Sequence, residues 1–375
     1  MNKQRTMNLS LNTAEKMLLA LLRMALHSRV EADVPWDNIP DAAWHQCYKL
    51  AARQGVMAMA WDGIQLIPGE CPLPRPLKLT WAMAVEQYEE KYRHYCSVAD
   101  ELSALYSQHG IHMVQMKGVG LSAIYPIPAH REGGDIDIYT WSANREEMTD
   151  VEANRLADEL MRQMGVDVDT EHSAKHSNFY YKGVPIEGHK TFLNVTKYRV
   201  ATPMDELLHR LLKPEPTPLC EGAYTVQTPG KEFNALFLSF HAAQHYGNGI
   251  RLHHLMDWAC LLMRYGWCLP AEVTDERLLR FINSLTTLSN QLLGTSVAVE
   301  ADERMTEQLF AQMLHPRYDR AVSVKGKVRV LWHKTRRFFH EHRLLSTVFE
   351  DASIGRAIVD SVIFHIRKPE TIFEV

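Results

Sequence analysis

The sequence predicts an α+β fold: a small mixed sheet with its helices, flanked by N-terminal and C-terminal helical regions. Apolar residues recur at helical spacing before about residue 110 and again after about residue 204. Between those stretches the pattern changes to short runs with a period of two, the signature of strands. Only about 100 residues read as α/β, too few for a large doubly wound sheet. A chain of 375 residues leads one to expect two or three units. The expected division is 1–100 helical, 101–200 α/β core and 201–375 helical.

Each element has a local reason. Met17, Leu18, Leu21, Leu22 and Ala25 give residues 14–28 one apolar helical face. A turn at Asp37-Asn38-Ile39-Pro40 precedes a second helix over Asp41–Gln54, and Pro68-Gly69 and the prolines from Pro72 to Pro76 interrupt the pattern. A long helix then aligns Tyr88, Tyr92, Tyr95, Val98, Leu102 and Leu105, and Gly110 stops it. Ile111–Met116 reads as a strand, Gly118–Tyr125 as a brief helix, and Asp135–Tyr139 as a second strand. Asn144 with Glu147 has the spacing of a capping box, opening a helix that ends near Gly165. Phe179–Lys182 and Val184–Lys190 form a hairpin through Gly183. Met204–Leu212 is helical, Pro214-Glu215-Pro216-Thr217-Pro218 reads as a stiff linker, and helices follow at about 231–246, 251–264 and 275–295.

Composition excludes several classes. Hydrophobic residues make up 46% and charged residues 23%, which rules out a collagenous or mostly disordered chain. A net charge of −4 argues against a dedicated nucleic-acid coat. Six cysteines without a C-x-x-C pair point to a reducing compartment and away from a thiolate zinc site. Lys3 and Arg5 imitate a signal peptide, but the run Met17–Leu22 is short and flanked by charges. No stretch approaches the ~18 apolar residues of a membrane span. The expected location is cytoplasmic, with no transmembrane segment.

The sharpest chemical signal is Arg131-Glu132-Gly133-Gly134-Asp135-Ile136-Asp137-Ile138. On a strand, Asp135 and Asp137 share one face while the isoleucines take the other. Both carboxylates, with an ordinary pKa of about 3.9, are ionised at neutral pH and repel each other. A divalent cation relieves that repulsion, and hard oxygen ligands suit Mg2+. Met116-Lys117-Gly118-Val119-Gly120 lies between a strand and a helix, where glycine lets the backbone approach a phosphate and Lys117 adds charge. It lacks P-loop spacing. In Ile186-Glu187-Gly188-His189, Glu187 and His189 share a strand face, so Glu187 is a candidate third acid. Each signal alone has a plainer reading, as a solvated edge pair, a turn glycine or a surface charge. Their order along the chain is what points to a site.

That order resembles the nucleotidyltransferase superfamily of DNA polymerase β and kanamycin nucleotidyltransferase. It is most similar to a family of uncharacterised nucleotidyltransferases whose members carry a lysine-glycine pair and an R-x-x-G-D-I-D run, here Lys117-Gly118 and Arg131 to Asp137. The family's later helices carry histidines and an aspartate, here His241, His245 and Asp257. The resemblance implies a metal-dependent enzyme that moves a nucleoside monophosphate from a nucleoside triphosphate to an acceptor. Asp135, Asp137 and Glu187 would be catalytic and hold Mg2+, with Mn2+ as the alternative. Lys117, Gly118, Arg131 and Gly134 would contact the nucleotide. His189, His241, His245, Arg251 and Asp257 would lie on the acceptor side, and the acceptor itself (small molecule, protein or RNA) is open. The other reading is a catalytically degenerate domain that binds a nucleotide or partner, since Gly118-Val119 replaces the usual glycine-serine or glycine-glycine pair. A glycosyltransferase using D-x-D would need a larger sheet.

Two further features have competing readings. His241 and His245 stand one helical turn apart, a spacing compatible with zinc, although chance pairs are expected among 19 histidines. Arg251 and Asp257 would make a plain ion pair. The stretch 325–343 holds seven Lys/Arg against one Glu, interleaved with Trp332, Phe338 and Phe339. It fits an RNA or anionic membrane surface, or an amphipathic helix with core aromatics.

Overall fold

The structure, a computed structural model, describes residues 10–31, 33–69, 72–170, 175–195, 198–247, 249–317 and 327–350, with 355, 358 and 359. Lys3, Arg5, Cys71 and Lys325 lie outside the described residues. Helix α1 (Thr13–His27) opens on a reciprocal cap: Asn12 Oδ1 accepts from the Glu15 N–H at 3.0 Å, and Glu15 Oε2 accepts from the Asn12 N–H at 2.9 Å. Helix α2 (Asp41–Gln54) ends at Gly55 in the left-handed region, φ +67°. Helix α3 (Met57–Gln65) follows at once, where the sequence offered no element. Helix α4 (Arg75–Gln108) begins inside the proline-rich stretch, because Pro76 stands in the first turn, where no N–H is needed.

The core carries β1 (Ile111–Gln115), α5 (Val119–Ser122), β2 (Ile136–Ser142), α6 (Asp150–Gln163), β3 (Val168–Asp169), β4 (His176–Tyr181) and β5 (Val184–His189). The mixed sheet has the order β1-β2-β5-β4-β3. Only β2 and β5 run parallel; the other neighbours are antiparallel. The cap of α6 is Thr149 with Glu152, not Asn144 with Glu147. Both pairs have the spacing, but Asn144 Oδ1 accepts from the Glu146 N–H at 3.1 Å and closes a turn instead.

The C-terminal region contributes α7 (Ala201–Leu211), β6 (Pro214–Leu219), β7 (Tyr224–Pro229), α8 (Lys231–His245), α9 (Leu252–Tyr265), α10 (Glu276–Leu288), α11 (Glu303–Leu314) and α12 (Lys327–Leu345). The expected proline linker is a strand: β6 pairs antiparallel with β7, with Thr217 opposite Val226. Prolines at 214, 216 and 218 are tolerated because a spacing of two puts all three missing N–H groups on one edge, and β7 takes the other.

Two apolar clusters result. One joins α4, α6 and the sheet face of Ile136, Ile138 and Ile186. The other joins α1 to α3 with α8 to α11, so helices from both ends of the chain share a core. The opposite sheet face meets this second cluster, where Tyr139 packs on Phe192 at 4.4 Å and Phe192 on Phe233 at 4.9 Å. Among the described residues no helix is long and apolar enough to cross a membrane. Cys47, Cys96, Cys220, Cys260 and Cys268 are free thiols.

Helices α1 and α3 cross at Gly63, where a Cβ would stand 2.2 Å from the Leu21 carbonyl oxygen. Helix propensity alone favours Gly63→Ala by about 1 kcal/mol. The clash with backbone outweighs it, and the variant should lose about 3 kcal/mol or more. Urea unfolding reads the outcome; an unchanged or raised midpoint would contradict this crossing.

Candidate functional site

Parallel pairing of β2 with β5 sets Asp137 opposite Glu187 and Tyr139 opposite His189. Asp135 stands one residue before β2. Carboxylate oxygens of Asp135, Asp137 and Glu187 lie within 4.8 Å of one another. The sequence-predicted acids therefore meet at one place. Lys117 lies just past β1, after Met116, and its Nζ is 3.1 Å from Asp137 Oδ1. The Met116 N–H donates to the Asp137 carbonyl at 3.0 Å, which brings the lysine beside the acid. Gly118 has φ +66°, and a Cβ there would stand 2.9 Å from the Asp135 carbonyl oxygen. The turn thus needs glycine both for its conformation and for its close approach. The helix after it is a single turn, shorter than the Gly118–Tyr125 expected, so the turn's own N–H groups matter more than a helix dipole.

Burial and charge set the protonation pattern. Asp137 is fully buried. Burial pushes its carboxyl up, but Lys117 and His189 outweigh this and hold it well below the usual range. Burial also opposes the charge on Lys117, yet Asp137, Asp135 and Glu187 keep its ammonium protonated far above neutrality. Asp135 goes the other way, raised by burial and by the charge of Asp137. Glu187 is lowered, chiefly by its hydrogen bond with His189. Asp137 Oδ2 is buried with no hydrogen-bond partner among the described residues. Both amide atoms of buried Gln115, beneath the glycine turn, are in the same condition.

The loop from His130 to Asp135 is held from four sides. Arg131 Nε and Nη2 grip Asp257 Oδ1 and Oδ2 at 2.9 and 2.8 Å, while Nη1 donates to the Gly118 carbonyl at 3.0 Å. Tyr125 Oη donates to the same Asp257 Oδ1 at 2.6 Å. Arg131, expected beside a phosphate, here directs its guanidinium to this buried carboxylate and to the Gly118 carbonyl. Nor does Asp257 pair with Arg251, which is exposed. Glu132 accepts the N–H groups of Met57 and Ala58, capping α3 from 75 residues away. Lys91 Nζ donates to the Gly133 carbonyl at 2.7 Å and Tyr95 Oη to that of Gly134 at 3.2 Å. A side chain at Gly134 would meet open space.

Two neighbours escaped sequence reasoning. His176 and Lys175 at the start of β4 lie by the acids, and Lys117 and Asp137 act on the charge of Lys175. No motif marks them; β4 pairing with β5 brings His176 opposite His189. The histidines of α8 and α9 gather as well. His241, His245 and His254 have ring centroids 4.6, 4.8 and 5.5 Å apart. His254 Nδ1 accepts from the Arg251 N–H at 3.1 Å, which leaves its proton on Nε2. That tautomer works against the zinc reading. Burial holds His241 and His254 neutral, well below the usual histidine range. On α12, Trp332 and Phe339 are exposed, with Arg336 4.9 Å over the Trp332 ring, so these aromatics are not core.

Residues 40–294, more than half of the chain, match the family model described as "Uncharacterised nucleotidyltransferase". The chain is also similar to a solved structure, an antigenic nucleotidyltransferase-like protein from Paracoccidioides brasiliensis. Identity is 13% and the TM-score 0.34, with 54% of this chain and 94% of that chain covered. No curated protein matches.

His130 fastens the loop to α3 and α4, with Nδ1 2.7 Å from Asp62 Oδ1 and Nε2 3.0 Å from Glu89 Oε1. Burial lowers its pKa, but the two carboxylates outweigh burial and raise it above the ordinary value of about 6.5. A raised histidine pKa stabilises the fold below the unfolded value, and the gain disappears as pH climbs through the folded value. The unfolding free-energy gap between wild type and His130→Gln should therefore be widest below about pH 6.5 and narrow above it. Denaturant titrations across pH 5–9 check this; a gap that widens with pH would reverse the sign.

Proposed function

Because the chain belongs to the uncharacterised nucleotidyltransferase family, we propose that it transfers a nucleoside monophosphate from a nucleoside triphosphate to an acceptor by Mg2+-assisted in-line attack. The observation that carries this reading is the orphaned Asp137 Oδ2, buried among three carboxylates that converge within 4.8 Å. A buried acceptor without a donor costs stability unless something fills the position. The donor set is hard oxygen, which suits Mg2+. Asp135, Asp137 and Glu187 would hold such an ion, which would supply positive charge beside the transferring phosphate and the attacking group.

The residues divide the remaining work. Gly118 brings backbone N–H groups close to the triphosphate, and Lys117 supplies positive charge beside it. Arg131, tied to Asp257 and to the Gly118 carbonyl, positions the glycine turn rather than a phosphate. Gly134 lets the loop reach Asp135 without crowding the nucleotide. Glu187 acts as a ligand more than a base, because His189 holds it below the usual range and a weaker base is a poorer proton acceptor. Asp135 is shifted the other way, raised by burial and by the charge of Asp137. An acceptor oxygen attacks the α-phosphorus, the bond to the bridging oxygen breaks, and pyrophosphate leaves. His241 and His245 border the acceptor side near Lys117 and Lys175, with Arg251 at the surface beyond them.

Incubation with each labelled triphosphate and Mg2+ should release pyrophosphate. Asp135→Asn should cut that release by about 10²-fold or more while leaving the fold intact. Unchanged turnover in the variant would remove the assignment. Nucleotide binding without any release would favour the degenerate, non-catalytic domain.

A further inference from the structure

Beside the three acids lies a second set of potential ligands with a different chemistry. Ligand atoms of His176, Glu187 and His189 also lie within 4.8 Å of one another. Glu187 belongs to both sets: its Oε1 is 3.9 Å from His176 Nε2 and its Oε2 is 3.6 Å from His189 Nε2. The sheet fixes this arrangement, since His176 and His189 are directly opposed across β4 and β5. We propose that these residues, with Asp137, form a nitrogen-containing cation site joined to the acid cluster through Glu187, and that it takes a transition ion such as Mn2+ or Co2+ in preference to Mg2+. This inference deepens the proposed nucleotidyl transfer and rests on it for the ion's role, though not for its binding.

The placement of His189 carries the argument. Its Nδ1 lies 3.3 Å from the Thr191 carbonyl oxygen, an atom that can only accept, so Nδ1 bears a proton. A backbone carbonyl holding one ring nitrogen is the usual support behind a metal-ligating histidine. The other nitrogen, Nε2, faces Asp137 Oδ1 at 2.9 Å. A cation placed between them would be shared by Nε2 and that oxygen. Two ligand atoms placed cis on one octahedral ion, each about 2.1 Å from it, lie about 3 Å apart, close to the observed separation. An imidazole nitrogen favours first-row transition ions over Mg2+, which keeps oxygen and water around it. Asp137, with Lys117 on the same Oδ1, is common ground between the two sets.

Mn2+ titrated into the full chain, with pulsed electron paramagnetic resonance of the bound ion, tests this directly. Directly bound imidazole nitrogen should modulate the signal, and Mn2+ should bind at least about tenfold more tightly than Mg2+. His176→Phe keeps a ring in place and removes a ligand. It should reduce the nitrogen modulation and weaken Mn2+ binding about tenfold, with Mg2+ binding unchanged. Bound Mn2+ without nitrogen modulation, or no Mn2+ binding, would overturn the site. In the first case, pyrophosphate release with Mg2+ would leave the carboxylate mechanism standing. Nitrogen-coupled Mn2+ without transfer from any triphosphate would support this site while sinking that mechanism.

Discussion

A buried carboxylate, charged and compensated from two sides, is the constraint around which this molecule is built. Asp137 has no solvent exposure, and an isolated ion in such a place costs on the order of several kcal/mol. Lys117 from the end of β1 and His189 from the end of β5 must both reach it. The sheet meets that requirement in two ways: β1, antiparallel, ends beside the start of β2, and β5, parallel, is in a register that sets Glu187 opposite Asp137 and His189 opposite Tyr139. A strand order that separated β1 from β2 would leave Asp137 without its lysine. Even so, compensation is incomplete, because Oδ2 has no partner among the described residues. Structure and chemistry meet there, since the atom that the fold leaves unsatisfied is the one a bound cation would use.

The loop before β2 couples this centre to the helices. Arg131 and Glu132 are adjacent in sequence and point to different partners. One binds Asp257 on α9 and the other caps α3. Because α3 and α9 belong to the large helical cluster, a few hydrogen bonds tie the loop before Asp135 to that cluster. The two glycines that follow are held by side chains of α4 through their carbonyls, which need no side chain of their own. Asp135 is thus placed by contacts from three separate parts of the chain.

The acids, the lysine and the glycine turn were legible in the sequence because each announces itself within a few residues. Alternation of Asp135, Ile136, Asp137 and Ile138 states which side chains share a face, and the structure keeps that separation. Helices α1, α2 and α4 were legible for the same reason. Helix α3 was not, because it is short, holds Gly63 and takes its cap from Glu132 far along the chain. The prolines of β6 read as a linker because composition alone does not reveal that their spacing leaves one edge intact. The partner of Arg131 was hidden for a related reason. Sequence shows a basic residue beside acids, whereas its pairing with Asp257 depends on a contact between residues 126 positions apart. His176 lay outside any motif, and only the pairing of β4 with β5 brings it to the site.

The hairpin of β6 and β7 has a one-sided edge. Along its outward margin β6 offers carbonyl oxygens but, at three alternate positions, no hydrogen to give. A foreign strand laid against that margin finds every second rung of the ladder missing. The same prolines that disguise the strand in the sequence thereby make that margin of β6 a poor template for another strand.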